Sequence, residues 1–461
     1  MANKISTKPP SGMRDFLADD VARRRFVVER ITKAYESFGF VPIETPTIEN
    51  LSTLLGKYGD EGDKLLYRIL HRRDALTRAV EGAASQGRPA TALELSDLGL
   101  RYDLTVPLAR VVAQYGDLPK FFKRYQMQPV WRADRPGRGR FREFYQCDVD
   151  ITGTTSLVAD AEVCGAVAAA LDGLGFDDYE IRVNHRGLLR SMVRASGIAS
   201  EHETTALVAV DKLDKIGRDG VVSELIGRGI DPANAETLLG LAVADGSSSN
   251  VERLDSLAGS GIDEEGIFAC DSLRELLAMT DSTPAGPRLR MSPELARGLS
   301  YYTGPIFEIA VQDLQGSLGG GGRYDGLVGM FGKRSVPAVG FSLGLERILV
   351  VMEERGMYPE ISVGPEVLLC WFDVDAAQAL EVATKLRAHG VRVEVYPESA
   401  KLKKQLAYAA SDGVGAAFAM ILGGDEWESQ RPTLRDLTTG AQRSEELEEL
   451  VGLIRQGGFE S

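Results

Sequence analysis

The sequence predicts an α/β protein: a β-rich body that carries the chemistry, split by a helical insertion and followed by a smaller doubly wound α/β domain. Three observations lead there. A length of 461 residues corresponds to about three domains at roughly 150 residues each. Strand-like stretches at 98–115, 121–153 and 288–311 are interrupted by a Leu/Ala/Glu/Asp/Gly-rich segment, about 185–280, whose apolar residues recur at helical spacing. Beyond a linker at 359–366, apolar runs and helical patterns alternate, as in a sheet covered by helices on both faces.

Taken in order, residues 19–38 predict an amphipathic helix, with Val27, Ile31, Ala34 and Phe38 on one side and Gly39 as its C-cap. FVPIETPTI (40–48) reads as a short strand broken by prolines. DSTPAGPR (281–288) is a turn-rich linker back into strand-like sequence. SLGGGGRYDG (317–326) reads as a flexible glycine loop, and GFSLGLERILVVMEERG (340–356) as a helix after a glycine start. The last hundred residues predict strands at 367–372, 391–395 and 416–422, with helices at 375–389 and 400–411 between them.

Composition narrows the function. Hydrophobic residues at 44% and charged residues at 26% exclude whole-chain disorder. No apolar run reaches the ~18 residues of a membrane span, and the first sixteen residues lack a secretory apolar core. Four cysteines (147, 164, 270, 370) form no CxxC pair, and four histidines show no metal-ligand spacing. The expectation is a cytoplasmic, metal-poor protein. A net charge of −14 disfavours non-specific nucleic-acid binding, which depends on neutralising phosphates. Residues 120–142 nevertheless hold eight Lys/Arg and one Asp.

That basic block overlaps the most informative stretch, 121–153, where two strand-like runs flank ADRPGRG (133–139). On the second run the odd positions, Tyr145, Cys147, Val149 and Ile151, form a core face. The even positions are Arg140, Arg142, Phe144, Gln146, Asp148 and Asp150, a series of distinct functional groups rather than an ordinary solvated face. Arg132, at the mouth of the loop and facing Arg140 across a hairpin, suits a phosphate, because guanidinium donors bind phosphate oxygens bidentately and stay charged. Phe144 on the same face suits stacking on a purine.

Two further clusters add to this. In LRYDLTVPLAR (100–110), Arg101, Asp103 and Thr105 share a strand parity, and a carboxylate, a hydroxyl and the amide of Gln146 suit an ammonium group; a surface strand explains the same pattern. In ARGLSYYTGPIFE (296–308), Arg297, Tyr301, Tyr302 and Glu308 lie beside glycines that permit close approach of a ligand to the backbone. Arg347 is either a surface residue or a nucleotide-stacking cation. GGGGRYDG lacks the GK[ST] ending of a P-loop. No nucleophile–base arrangement stands out; arginines, carboxylates and aromatics suit electrostatic stabilisation of a phosphate-centred transition state.

These motifs together resemble the class II aminoacyl-tRNA synthetases, and within them the histidyl-tRNA synthetase family. FGFVPIETPTIE (38–49) resembles class motif 1, 122–153 motif 2 and AVGFSLGLERIL (338–349) motif 3. RYDLTVPLAR (101–110), the RGL-YYTG pattern (297–304) and GGRYDGLVGMFG (321–332) are similar to family-specific segments. The resemblance implies a catalytic domain built on an antiparallel sheet (1–184 and 286–358), a helical insertion (185–285) facing the tRNA acceptor arm, and an anticodon-binding α/β domain (362–461). It implies that Arg132 holds the ATP α-phosphate, Arg140 lies towards the β- and γ-phosphates, and Phe144 and Arg347 sandwich the adenine. Asp103, Thr105 and Gln146 would bind the histidine ammonium; Asp150 and Tyr302, with Tyr301 nearby, would read the imidazole. Arg297 would stabilise charge during adenylate formation. ATP would arrive with Mg²⁺, tRNA-His would be the second substrate, and the chain would form a homodimer with Pro46 at the interface. Ser300 stands where the family usually has Asp, which weakens the negative field near the histidine pocket. The alternative is a non-catalytic synthetase-like regulatory subunit of ATP phosphoribosyltransferase; such relatives typically lose the C-terminal domain that this chain retains.

Overall fold

The computed structural model describes residues 6–56, 64–243, 248–297, 301–314, 316–332 and 334–459. The chain divides into two compact units, Met1–Asp15 with Arg23–Tyr358, and Phe16–Ala22 with Pro359–Ser461.

In the first unit, strands β1 (Val41–Pro42), β2 (Ile48–Asn50), β3 (Arg68–Leu70) and β4 (Ser96–Leu100) come early in the chain. Of these, β2, β4 and β3 form a small antiparallel sheet in that order. The large sheet uses β1 with β5 (Phe122–Trp131), β6 (Glu143–Thr152), β7 (Glu180–His185), β8 (Leu289–Met291), β9 (Pro305–Ala310), β10 (Ser317–Arg323) and β11 (Ala338–Gly344). Its order is β1-β5-β6-β11-β10-β9-β7-β8. The pairs β1·β5 and β7·β8 are parallel and the remainder antiparallel.

The sheet has two chemically different faces because side chains alternate along each strand. Cys147, Val149, Val339, Phe341, Phe307 and Ile309 form the apolar face and are buried. The helix Leu157–Gly173 packs there; Ser156 caps it by accepting from the Val158 amide at 3.3 Å, and eleven of its residues are buried. The predicted first helix is present as Ala18–Ser37, burying Val27, Ile31 and Tyr35.

Three sequence expectations are corrected. Residues 317–323 form the central strand β10, not a flexible loop. Glycine weakens a strand by itself, but the neighbours demand it here: a Cβ on Gly319 would strike the Ser342 carbonyl, and one on Gly321 the Gly340 carbonyl. The residues after it are anchors. Arg323 pairs with buried Asp160 and donates to the Thr154 carbonyl at 2.9 Å, while the Asp325 carboxylate accepts from the Ala338 amide at 3.1 Å. Residues 338–344 are also a strand, and the helix begins only at Leu345 (Leu345–Glu354). Finally, the strand-like run at 98–115 stops at Leu100, and Thr105–Gln114 is a helix whose buried face is Val106, Leu108 and Ala109.

Between β7 and β8 the chain forms a run of helices from Arg186–Ala195 to Glu264–Thr280, matching the helical periodicity of that segment. The second unit holds β12 (Val367–Trp371), β13 (Val393–Val395), β14 (Phe418–Leu422), β15 (Thr433–Asp436) and β16 (Gln442–Ser444) in the order β13-β12-β14-β15-β16. The first three are parallel; β15 and β16 add an antiparallel edge that the sequence reading left out. Val367 and Leu369 enter one core and Leu368 and Cys370 the other, the two-sided burial of a doubly wound sheet. Among the described residues no helix is long and apolar enough to cross a membrane.

Candidate active site

The second face of the large sheet is polar. Cross-strand register places Arg124 opposite Asp150, Gln126 opposite Asp148 and Gln128 opposite Gln146. Across β6 lie Gly340, Ser342 and Gly344 of β11, followed by Gly322 and Gly320 of β10 and then Ile306 and Glu308 of β9. Four glycines in the middle of this face leave the sheet without side chains there. The space is a cavity of about 490 Å³. A Cβ on Gly340 would fall on the Asp150 carboxylate, and one on Gly322 would press against the Tyr302 ring at 3.0 Å.

The residues given a substrate role from the sequence line this cavity: Asp103 and Thr105, Arg132 and Arg140, Phe144, Gln146 and Asp150, Arg297, Tyr301 and Tyr302, and Arg347; Arg101 and Arg142, of the same clusters, do not. Local structure explains each placement. Asp103 stands just before Leu104, the N-cap of the helix Thr105–Gln114, and its Oδ1 accepts from the Val106 amide at 3.2 Å. Thr105 therefore faces the cavity from a helix start, not from a strand. Arg101 turns the other way: it is fully buried, and it donates to the Pro129 carbonyl at 2.9 Å and Gln128 Oε1 at 3.0 Å. Its shared parity with Asp103 does not survive because the strand ends at Leu100, before either residue.

Arg132 donates from Nε to the Tyr102 carbonyl at 2.8 Å and lies over the Phe144 ring at 5.1 Å. Its remaining guanidinium edge is thereby aimed. Arg140 sits in the tight turn Gly137–Arg140, before β6 begins, and pairs with Asp134 at 2.9 Å. The expected two-arginine fork is thus two differently held guanidiniums on one cavity. Arg347, on the first turn of Leu345–Glu354, donates to the Ser317 carbonyl. Burial lowers its pKa, and the neighbouring cations Arg297, Arg140 and Arg132 lower it further. Repulsion among four guanidiniums is relieved by a polyanion. Arg297 pairs with Glu308 at 2.5 Å.

The carboxylates gather separately. Asp150 pairs with buried Arg124 at 2.7 Å and accepts from the Tyr324 hydroxyl. Asp148 lies 3.9 Å from Arg124. Burial raises its carboxyl to about 7, Arg124 opposes that shift and Asp150 adds to it. Gln146 donates to Ser342 Oγ at 2.6 Å. The Tyr301 and Tyr302 rings pack at 4.2 Å, tilted by 45°. Ser300 lies outside the described residues.

Arg124, Asp148, Tyr324 and Ser342 were not singled out as site residues. The polar parity of β5 (Arg124, Gln126, Gln128) carries a signal for Arg124, and the parity series already contained Asp148. Tyr324 follows a glycine run and gives no periodic signal.

A mixed sheet of this order, carrying guanidiniums over one part of a cavity and buried carboxylates over another, defines a class II aminoacyl-tRNA synthetase. Family models for histidyl-tRNA synthetase and for the anticodon binding domain match residues 12–348 and 367–457. The chain belongs to the histidyl-tRNA synthetase family. It is 40% identical over 449 residues to a histidine–tRNA ligase of Cytophaga hutchinsonii, covering 96% of this chain and 98% of that protein. It is 41% identical over 459 residues to one of Gloeobacter violaceus, covering 94% of each. A crystal structure of histidyl-tRNA synthetase from Nostoc sp. PCC 7120 superposes with a TM-score of 0.78 at 29% identity, covering 98% of this chain and 100% of that one. A Bacillus halodurans structure described as an ATP phosphoribosyltransferase regulatory subunit/histidyl-tRNA synthetase shares the fold, with a TM-score of 0.70 at 22% identity over 92% of this chain and 100% of that one.

Proposed function

We infer that the chain joins L-histidine to tRNA-His, using ATP and passing through a histidyl-adenylate. The observation that carries this reading is the division of the cavity into a cationic group, Arg132, Arg140, Arg297 and Arg347, and an acidic group, Asp103, Asp148 and Asp150. A triphosphate neutralises the first, and the ammonium and imidazole of histidine suit the second.

In the first step the histidine carboxylate attacks the α-phosphorus and pyrophosphate leaves. Arg132 and Arg297 hold the α-phosphate and the attacking carboxylate, and Arg140 holds the leaving phosphates. Adenine lies between Phe144 and Arg347. Asp103, Thr105 and Gln146 hold the ammonium. Asp150, Tyr302 and Tyr301 read the imidazole, and an amino acid lacking those partners leaves buried polar groups unpaired. ATP enters as its Mg²⁺ complex, the ion being part of that substrate. In the second step a ribose hydroxyl of the terminal adenosine of tRNA attacks the acyl carbon of the adenylate, the acyl–phosphate bond breaks and AMP leaves.

Residues 1–184 and 286–358 form the catalytic domain in this reading, 185–285 face the acceptor arm and 362–461 bind the anticodon. A homodimer through the segment around Pro46 belongs to this reading on the resemblance of 38–49 to class motif 1. A cytoplasmic location agrees with four buried free cysteines. Pyrophosphate exchange into ATP, measured with each of the twenty amino acids, tests the reading. Exchange with histidine alone supports it. Histidine binding with no exchange overturns it in favour of a regulatory relative.

A further inference from the structure

Arg297 is held from two directions. Its Nε lies 2.5 Å from Glu308 on β9 and 3.7 Å from Asp211. Asp211 belongs to the inserted helices: it is the C-cap of Glu203–Val210, at the turn into Leu213–Gly227. The same turn is tied to the sheet a second time, where Asp214 pairs with Arg182 at 3.1 Å, and Arg182 stands opposite Glu308 in the β7·β9 register.

Two arginines of the sheet are thus bridged to two aspartates of one turn, with buried Glu308 between them. A small second cavity lies among these groups, and Arg297 and Glu308 line both it and the main cavity. Both carboxylates meet the Nε edge of Arg297, while its Nη1 donates to Ser317 Oγ at 3.5 Å on the lining of the main cavity. Asp211 is the member of this cluster that ties Arg297 to the inserted helices, because Glu308 belongs to the sheet.

The geometry points to Asp211 as a positioning residue that sets the orientation of Arg297 and makes adenylate formation responsive to the placement of the inserted helices. This rests on the function assigned above. It is a role for a residue outside the cavity, acting through a residue that touches substrate.

The test is a double-mutant cycle on the full chain, read by steady-state histidine-dependent pyrophosphate exchange. Asp211→Asn and Asp211→Ser should each lower kcat about five- to tenfold, with KM for ATP and histidine changed less than about twofold. Asp211→Glu should restore kcat to within about twofold. In an Arg297→Lys background the Asp211 substitutions should add less than about twofold, since the orientation they disturb is already lost. Asp211 variants within about twofold of the parent, or the same loss in both backgrounds, would overturn the assignment alone. Absence of exchange in the parent chain would overturn the function reading, and this assignment with it.

Discussion

Asp150 is a fully buried carboxylate held by one cation, Arg124, and one hydroxyl, Tyr324. Removing a single partner from such a pair leaves an uncompensated charge. Arg124→Met should therefore cost about 3–5 kcal/mol of stability, read from the urea midpoint, although Arg124 is placed to touch the carboxylates rather than a substrate. Asp150→Ala should raise the KM for histidine far more than that for ATP. In the proposed role Arg297 acts in the transition state, so Arg297→Ala should lower kcat about 10²–10³-fold while ATP binding is retained, checked by exchange kinetics alongside nucleotide binding. Asp148 gives a pH signature. Its carboxyl is raised by burial from 3.8 to about 7, so in that window the folded chain keeps a proton that the unfolded chain has lost. Its contribution is full at acid pH and is lost as pH rises towards 7. Asp148→Asn should remove that fall, measured as unfolding free energy at pH 5 and pH 7.5.

Elements differ in how far the sequence disclosed them. The helix Ala18–Ser37 was legible because Val27 and Ile31 recur at helical spacing on its buried side. On β6, Gln146, Asp148 and Asp150 share a parity and one cavity, so strand periodicity alone grouped them. Arg101 was misplaced because a parity argument holds only while the strand continues, and β4 ends at Leu100. The strand β10 was illegible because local preference and tertiary demand conflict there. Glycine disfavours a strand, and only the packing of β11 against it shows why no side chain fits. Gly321→Ala should accordingly destabilise the chain by at least about 2 kcal/mol. Gly82→Ala, in the exposed helix Asp74–Ser85 where a Cβ meets nothing within 4 Å, should instead stabilise by about 0.5–1 kcal/mol. Thermal unfolding of the two variants compares them directly.

At the scale of the molecule, charge is the feature that sets behaviour. The net charge is −14, and residues 362–461 hold 10 Lys/Arg against 16 Asp/Glu. In the proposed function, an RNA bound by this segment would be held by local cations such as Lys401, Lys403 and Lys404 against an unfavourable overall field. The KM for tRNA should rise steeply between 50 and 200 mM salt, as expected where phosphate contacts release counterions, while the KM for histidine in exchange changes little because its contacts are buried. Charging assays beside exchange assays over that range provide the check; parallel salt dependences would contradict it. The run of helices between β7 and β8 and the alternation of strands and helices after Tyr358 were legible from composition shifts and linkers. The antiparallel edge β15·β16 was not, since a strand such as Gln442–Ser444 is fully exposed and carries no apolar pattern.

The side-chain-free floor also makes the cavity asymmetric under mutation. Its depth at Gly320, Gly322, Gly340 and Gly344 is already at the limit that a polypeptide backbone allows. No substitution at those positions can enlarge the site; each one can only fill it. Engineering the chain for a bulkier amino acid must therefore work from the walls, at Tyr301 or Tyr302, whereas engineering it for a smaller one can begin at Gly320 or Gly344, where an added Cβ meets nothing closer than 3.3 Å.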